Sequence, residues 1–157
     1  MNGKLVGGFI VGAALIAGGA LYYLQLYAFY EPVPVEAASE LTMVSTATGE
    51  LEPVVLADFE AVDSDSSPIR YRACFSTPMG LAMLTESYVM YDEAVPLTGP
   101  PGLPCFDAAE IGAALESGEA LAFLSRKDIT EGIDRVIAVF DDGRAYAWHQ
   151  LNEKYAD

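Results

Sequence analysis

Positive charge is scarce in this chain. Eight lysines and arginines stand against 23 aspartates and glutamates, giving a net charge of −15 at pH 7. After Lys4 the next basic residue is Arg70. This balance disfavours nucleic acid and anionic lipid surfaces, which both need neutralising cations. It favours a basic partner or a cation, or serves solubility alone. Side chains that carry chemistry are few as well. His149 is the one histidine, Trp148 beside it the one tryptophan, and Cys74 and Cys105 the two cysteines. A zinc site needs three or four clustered ligands, and these three soft candidates serve only if the cysteines are reduced. No C-x-x-C-H haem attachment, Walker A loop or dinucleotide fingerprint occurs. Asp63-x-Asp65 begins like a calcium loop and stops at Ser67-Pro68. No G-x-S-x-G accompanies His149, so a triad base has no nucleophile signature to serve. No cofactor, metal or catalytic residue is therefore assigned, and the reading is non-enzymatic.

What the chain does have is a long uncharged run, Leu5 to Tyr30, with Gln25 as its only amide. As a helix it would extend about 39 Å, enough to cross a hydrocarbon core of about 30 Å. In lipid the backbone must satisfy itself, so the run is expected to be a transmembrane helix. A cleaved signal peptide is the rival, with Gly18-Gly19-Ala20 as its small residues. A signal's apolar region is normally about 7–15 residues, and this run continues through Leu21-Tyr22-Tyr23-Leu24. Tyr22, Tyr23, Tyr27, Phe29 and Tyr30 then gather as rings do at headgroup depth. Lys4 precedes the run and Glu31, Glu36 and Glu40 follow it. The positive-inside rule puts the N-terminus in the cytoplasm and the domain in the periplasm of a bacterial inner membrane. Gly8 and Gly12 form a GxxxG, the spacing that lets two helix backbones approach closely.

All 23 acidic residues lie from Glu31 onward. In an oxidising compartment Cys74 and Cys105 read as a disulfide. Such a bridge would stabilise a small domain by about 3–4 kcal/mol.

The organisation expected is a 1–30 membrane anchor, a 31–50 extended linker stiffened by Pro32 and Pro34, and a 51–157 periplasmic domain. Val54–Val62 and Ile69–Phe75 read as strands, the second with Ile69, Tyr71, Ala73 and Phe75 on one face and Arg70, Arg72 and Cys74 on the other. Leu81–Met90 reads as helix at its start and strand at its end. Asp107 is a good N-cap with Glu110 at N3, and Gly118 a helix stop. Ala120–Leu124 is a strand followed by a polar connection, Ser125–Gly132. Asp141-Asp142-Gly143 between apolar runs signals a hairpin. The fold class is α+β: one N-terminal transmembrane helix, then a small antiparallel-sheet domain with one or two helices.

Several stretches together resemble a known group. They are Leu21-Tyr22-Tyr23-Leu24-Gln25, Ser67-Pro68-Ile69-Arg70-Tyr71-Arg72-Ala73-Cys74-Phe75, Cys105-Phe106-Asp107-Ala108, Gly132-Ile133-Asp134-Arg135-Val136 and Ala147-Trp148-His149-Gln150. They resemble an uncharacterised family of single-span membrane proteins from purple-bacterial relatives among the alphaproteobacteria. That resemblance implies the anchor-plus-domain layout and brings no activity.

Arg70 and Arg72 are expected to pair with carboxylates such as Asp107 or Asp134, or else to form an anion site. Trp148 and His149 are expected to offer an exposed docking patch, with Arg70 and Arg72 as further interface residues. The functional expectation is an accessory or assembly subunit of a larger integral membrane complex. A haem–copper terminal oxidase is the suggested host, and a basic cytochrome c the charge-matched visitor. The alternatives are periplasmic copper handling through Cys74, Cys105 and His149, and a sensor or binding module.

Overall fold

The structure is a computed structural model and describes residues 2–155. Helix α1 spans Gly3–Leu26, and Asn2 caps it by accepting a hydrogen bond from the Lys4 amide at 3.3 Å. None of its residues is buried, and it is long and apolar enough to span a membrane. The chain leaves it through a turn in which Phe29 takes a positive φ of 70°.

The next residues join the domain directly. Strand β1 (Glu31–Pro32) pairs with β4 (Ala57–Asp63), and the Val33 amide continues the ladder to the Ala61 carbonyl at 2.9 Å. A 3-10 turn (Val35–Glu40) leads into β2 (Thr42–Val44), which pairs with β3 (Leu51–Pro53). The expected 31–50 linker is thus folded structure. Leu41 and Met43 are fully buried, and burial of such side chains stabilises by about 1.5–3 kcal/mol each. The apolar residues of this segment tie it to the sheet.

The remaining elements are β5 (Arg72–Ser76), α2 (Leu81–Ser87), α3 (Ala108–Ser117), β6 (Ala120–Thr130), β7 (Ile133–Phe140) and β8 (Arg144–Leu151). They complete a six-stranded sheet in the order β1-β4-β5-β8-β7-β6, with every neighbouring pair antiparallel. The class is α+β, as expected. Both faces of this sheet are covered. Alternation sends Ile137, Val139, Ala145 and Ala147 to one face, where Leu41, Met43, Leu84 and Tyr88 meet them. It sends Val136, Ala138, Tyr146 and Trp148 to the other, where Phe106, Ile111 and Ala114 meet them. All of β7 is consequently buried.

Local rules fix several boundaries. Asp107 Oδ1 accepts from the Ala109 and Glu110 amides at 2.9 and 3.1 Å, and Gly118 ends α3 with φ of 78°. Gly143 closes the β7–β8 hairpin with φ of 88°, and a Cβ there would lie 2.7 Å from the Thr77 carbonyl oxygen. The expected polar connection at Ser125–Gly132 shrinks to a turn at Glu131–Gly132, because β6 runs on to Thr130 through two register irregularities. Asp128 takes φ of 47° there, with its amide donating to Asp134 Oδ1 at 2.9 Å.

Candidate functional site

Of the residues singled out by the sequence, Arg70 and Arg72 lie where α1 meets the domain, and the others are spread over the fold. Strand β5 carries Arg72 on the same face as Cys74. Arg72 is buried and donates to four backbone carbonyls: Nε to Leu97 at 2.9 Å, Nη1 to Ile69 and Tyr71 at 2.7 and 2.6 Å, Nη2 to Thr98 at 3.2 Å. Burial lowers its pKa to about 10. The expected carboxylate partners are occupied elsewhere. Asp107 caps α3, while Asp134 accepts from the Tyr91 hydroxyl at 3.1 Å and from Asn152 Nδ2 at 3.0 Å. Two of the carbonyls that Arg72 meets, those of Leu97 and Thr98, come from an irregular segment, 95–106, that lies across the strand and has no ladder to satisfy its own oxygens.

Cys74 and Cys105 are joined in a disulfide with Cα atoms 6.4 Å apart. Arg72 and this bridge therefore hold the same proline-rich segment onto the sheet. Phe106, next to the bridge, stands edge-on to Trp148 at 6.3 Å.

The structure corrects the exposed docking patch. Trp148 has 0 % exposure, its Nε1 donating to Gln150 Oε1 at 3.0 Å. Gln150 in turn accepts from the Val95 amide and donates to the Glu93 carbonyl, both at 2.9 Å. His149 points to the opposite face and is also buried. Its Nδ1 lies 2.8 Å from the Pro68 carbonyl, and its Nε2 accepts from Arg135 Nε at 3.0 Å. A carbonyl only accepts and a guanidinium only donates, so the ring is the neutral tautomer protonated on Nδ1. Burial and the Arg135 charge hold its pKa down to about 4. Both nitrogens are engaged, and Tyr71 stacks on the ring at 4.7 Å with Arg135 over the Tyr71 face at 4.4 Å. Two residues adjacent in a strand point to opposite faces and cannot form one patch, and here neither reaches solvent, since both sheet faces are covered.

Arg70 is the residue that stays at the surface, half-buried. Its guanidinium lies over the Tyr30 ring, 5.2 Å from the centroid. Its Nη1 is buried without a hydrogen-bond partner, and Arg70 enters no ion pair among the described residues. Arg70 lines a cleft of about 390 Å³ with Gln25 and Leu26 from α1, Tyr30, Leu97 and Thr98. A second cleft of about 440 Å³ shares Ile69 and Leu97 with it and continues past Val95 and Leu151.

Gly8 and Gly12 lie on the free surface of α1, where an added Cβ at either would meet nothing within 4 Å. Gly12 borders a shallow apolar groove with Phe9, Ala13, Ile16, Ala17 and Ala20. Among the described residues, no three His, Cys, Asp or Glu side chains are grouped to hold a metal ion.

Tyr30, Arg135 and the Leu97 and Thr98 carbonyls were not singled out by the sequence reading. Arg135 had a signal: it is a charge inside the apolar alternation Ile133–Phe140, hence a buried cation needing partners. The carbonyls had none, because a loop's return path is not written in its composition.

No curated protein and no solved structure matches the chain. A family model does match it, over residues 41–157. Its start coincides with Leu41, the first fully buried residue of the domain, so the matched region takes in β2 and most of the folded unit. The chain belongs to this family of unknown function, DUF6446.

Proposed function

We propose that the protein is a single-pass inner-membrane protein, N-terminus in the cytoplasm and acidic domain in the periplasm, acting as an accessory or assembly subunit of a larger membrane complex. One observation carries this reading. No residue of α1 is buried, the helix is apolar, and around its Gly8/Gly12 face the chain supplies nothing within 4 Å of an added Cβ. In a bilayer a helix with small residues at i and i+4 packs closely on another helix. The domain supports the same reading by its charge, since its basic residues are few and its acids many. Such a surface attracts basic soluble partners and loses that attraction as salt rises. A respiratory terminal oxidase served by a basic cytochrome c is the proposed host. The resemblance to alphaproteobacterial single-span proteins supports the same placement.

Copper handling is the weaker alternative. Cys74 and Cys105 are bonded to each other, and His149 lies on the opposite sheet face with both ring nitrogens engaged. Extraction of the full-length protein in mild detergent at low salt, with mass spectrometry of what accompanies it, tests the subunit reading. A stoichiometric membrane complex is expected. Recovery of the chain alone, or only as a homodimer, overturns it.

A further inference from the structure

We infer that the cleft between the end of α1 and the Arg70 loop is a binding site for the phosphate of a membrane phospholipid. The inference rests on the reading of α1 as a retained anchor. Three observations lead to it. The cleft is built where the apolar helix stops: Gln25 and Leu26 form one wall, and Tyr22, Tyr23 and Tyr27 lie within a turn of them in sequence. With α1 in a bilayer, this height is the headgroup region. The other wall presents Arg70, a half-buried cation with no ion-pair partner among the described residues, in a domain otherwise dominated by carboxylates. Arginine's planar fork suits phosphate oxygens.

The rest of the wall explains why the site would hold its shape. Tyr30 fixes the Arg70 guanidinium from one side by a cation–π contact. Arg72 pins the Leu97 and Thr98 carbonyls behind it, so the rim is not a free loop. Arg72 stands behind it as a second, buried cation whose hydrogen bonds all go to carbonyls. Because Gln25 and Leu26 of α1 line the cleft, a phosphodiester seated there would have its acyl chains beside the helix. That geometry favours a lipid over free phosphate. One anionic group held here would also set the height and tilt of the domain on the membrane.

The test is native mass spectrometry of the full-length protein released from nanodiscs of phosphatidylglycerol, with intact mass confirming that α1 is present. The wild type is expected to carry one retained phospholipid per chain. Arg70→Gln should lose it, whereas Lys127→Gln, the same charge change on exposed β6, should keep it. Thermal melting of both variants in the same nanodiscs checks that they remain folded. Equal retention by wild type and Arg70→Gln overturns the site. An Arg70-dependent adduct of inorganic phosphate, formed in preference to lipid when millimolar phosphate is added, overturns the lipid assignment. A chain lacking α1 overturns the anchor reading instead, which separates the two failures.

Discussion

Arg135 donates its Nε to Nε2 of His149 at 3.0 Å, across neighbouring strands β7 and β8. A guanidinium donating to Nε2 opposes a second proton on the imidazole. That relationship gives His149 a structural task and a pH signature. Its folded pKa is depressed from 6.5 to about 4 by burial and by Arg135. The unfolded state therefore binds a proton near pH 6.5 that the folded state refuses. Stability from this group is complete above pH 6.5 and falls as pH drops toward 4, by about 1.4 kcal/mol per unit within that window. Urea denaturation of the wild type and His149→Gln at several pH values measures it. The wild type should lose stability more steeply between pH 6.5 and 4. Parallel slopes would place His149 in water.

Trp148 makes a second prediction, opposite to an exposed anchor. Its fluorescence should be blue-shifted in the native protein and shielded from acrylamide. Trp148→Ala should cost about 3–5 kcal/mol, the range for emptying an aromatic site in a packed core. Efficient quenching of native emission would contradict the packing.

The Cys74–Cys105 bridge holds segment 95–106 to β5, so its loss has a local and a global effect. The Cys74→Ala/Cys105→Ala double variant should be destabilised by about 3–4 kcal/mol in urea. Hydrogen exchange should quicken first in this segment, where few ladder bonds protect the backbone. Thiol titration of the unreduced native protein should find no free thiol.

At Gly143 two constraints act together, φ of 88° and the Thr77 carbonyl 2.7 Å from a would-be Cβ. Gly143→Ala should destabilise by more than about 1 kcal/mol, where the same change at a compatible glycine is neutral or stabilising. Gly80→Ala is the control, since its φ is ordinary and an added Cβ there has open space. Equal melting temperatures for the two variants would contradict the turn geometry.

Local chemistry was legible in the sequence. Asp107, Gly118 and the Asp-Asp-Gly turn fall where their side chains and backbone preferences dictate. The alternation of Tyr71, Ala73 and Phe75 against Arg72 and Cys74 names the two faces of β5 correctly. What alternation cannot reveal is whether the second face is covered. Here segment 95–106 and α3 cover it, so Arg72 and Trp148 are interior despite their polar atoms. The same blindness to long-range pairing made 31–50 read as a linker. Pro32 opposes Val62 and Met43 opposes Glu52, and such pairings are set by the whole sheet. The Arg70 cleft was half legible, since Arg70 and Arg72 stand out in an acidic domain, while the contact residue Tyr30 reads as part of the membrane run.

The account depends most on α1 remaining attached. Carbonate extraction of membranes, followed by intact mass of the recovered protein, tests it directly. The prediction is a carbonate-resistant full-length chain that includes residues 1–30. A soluble form beginning just after Gly18-Gly19-Ala20 would contradict it, and the anchored-subunit reading would fall with it.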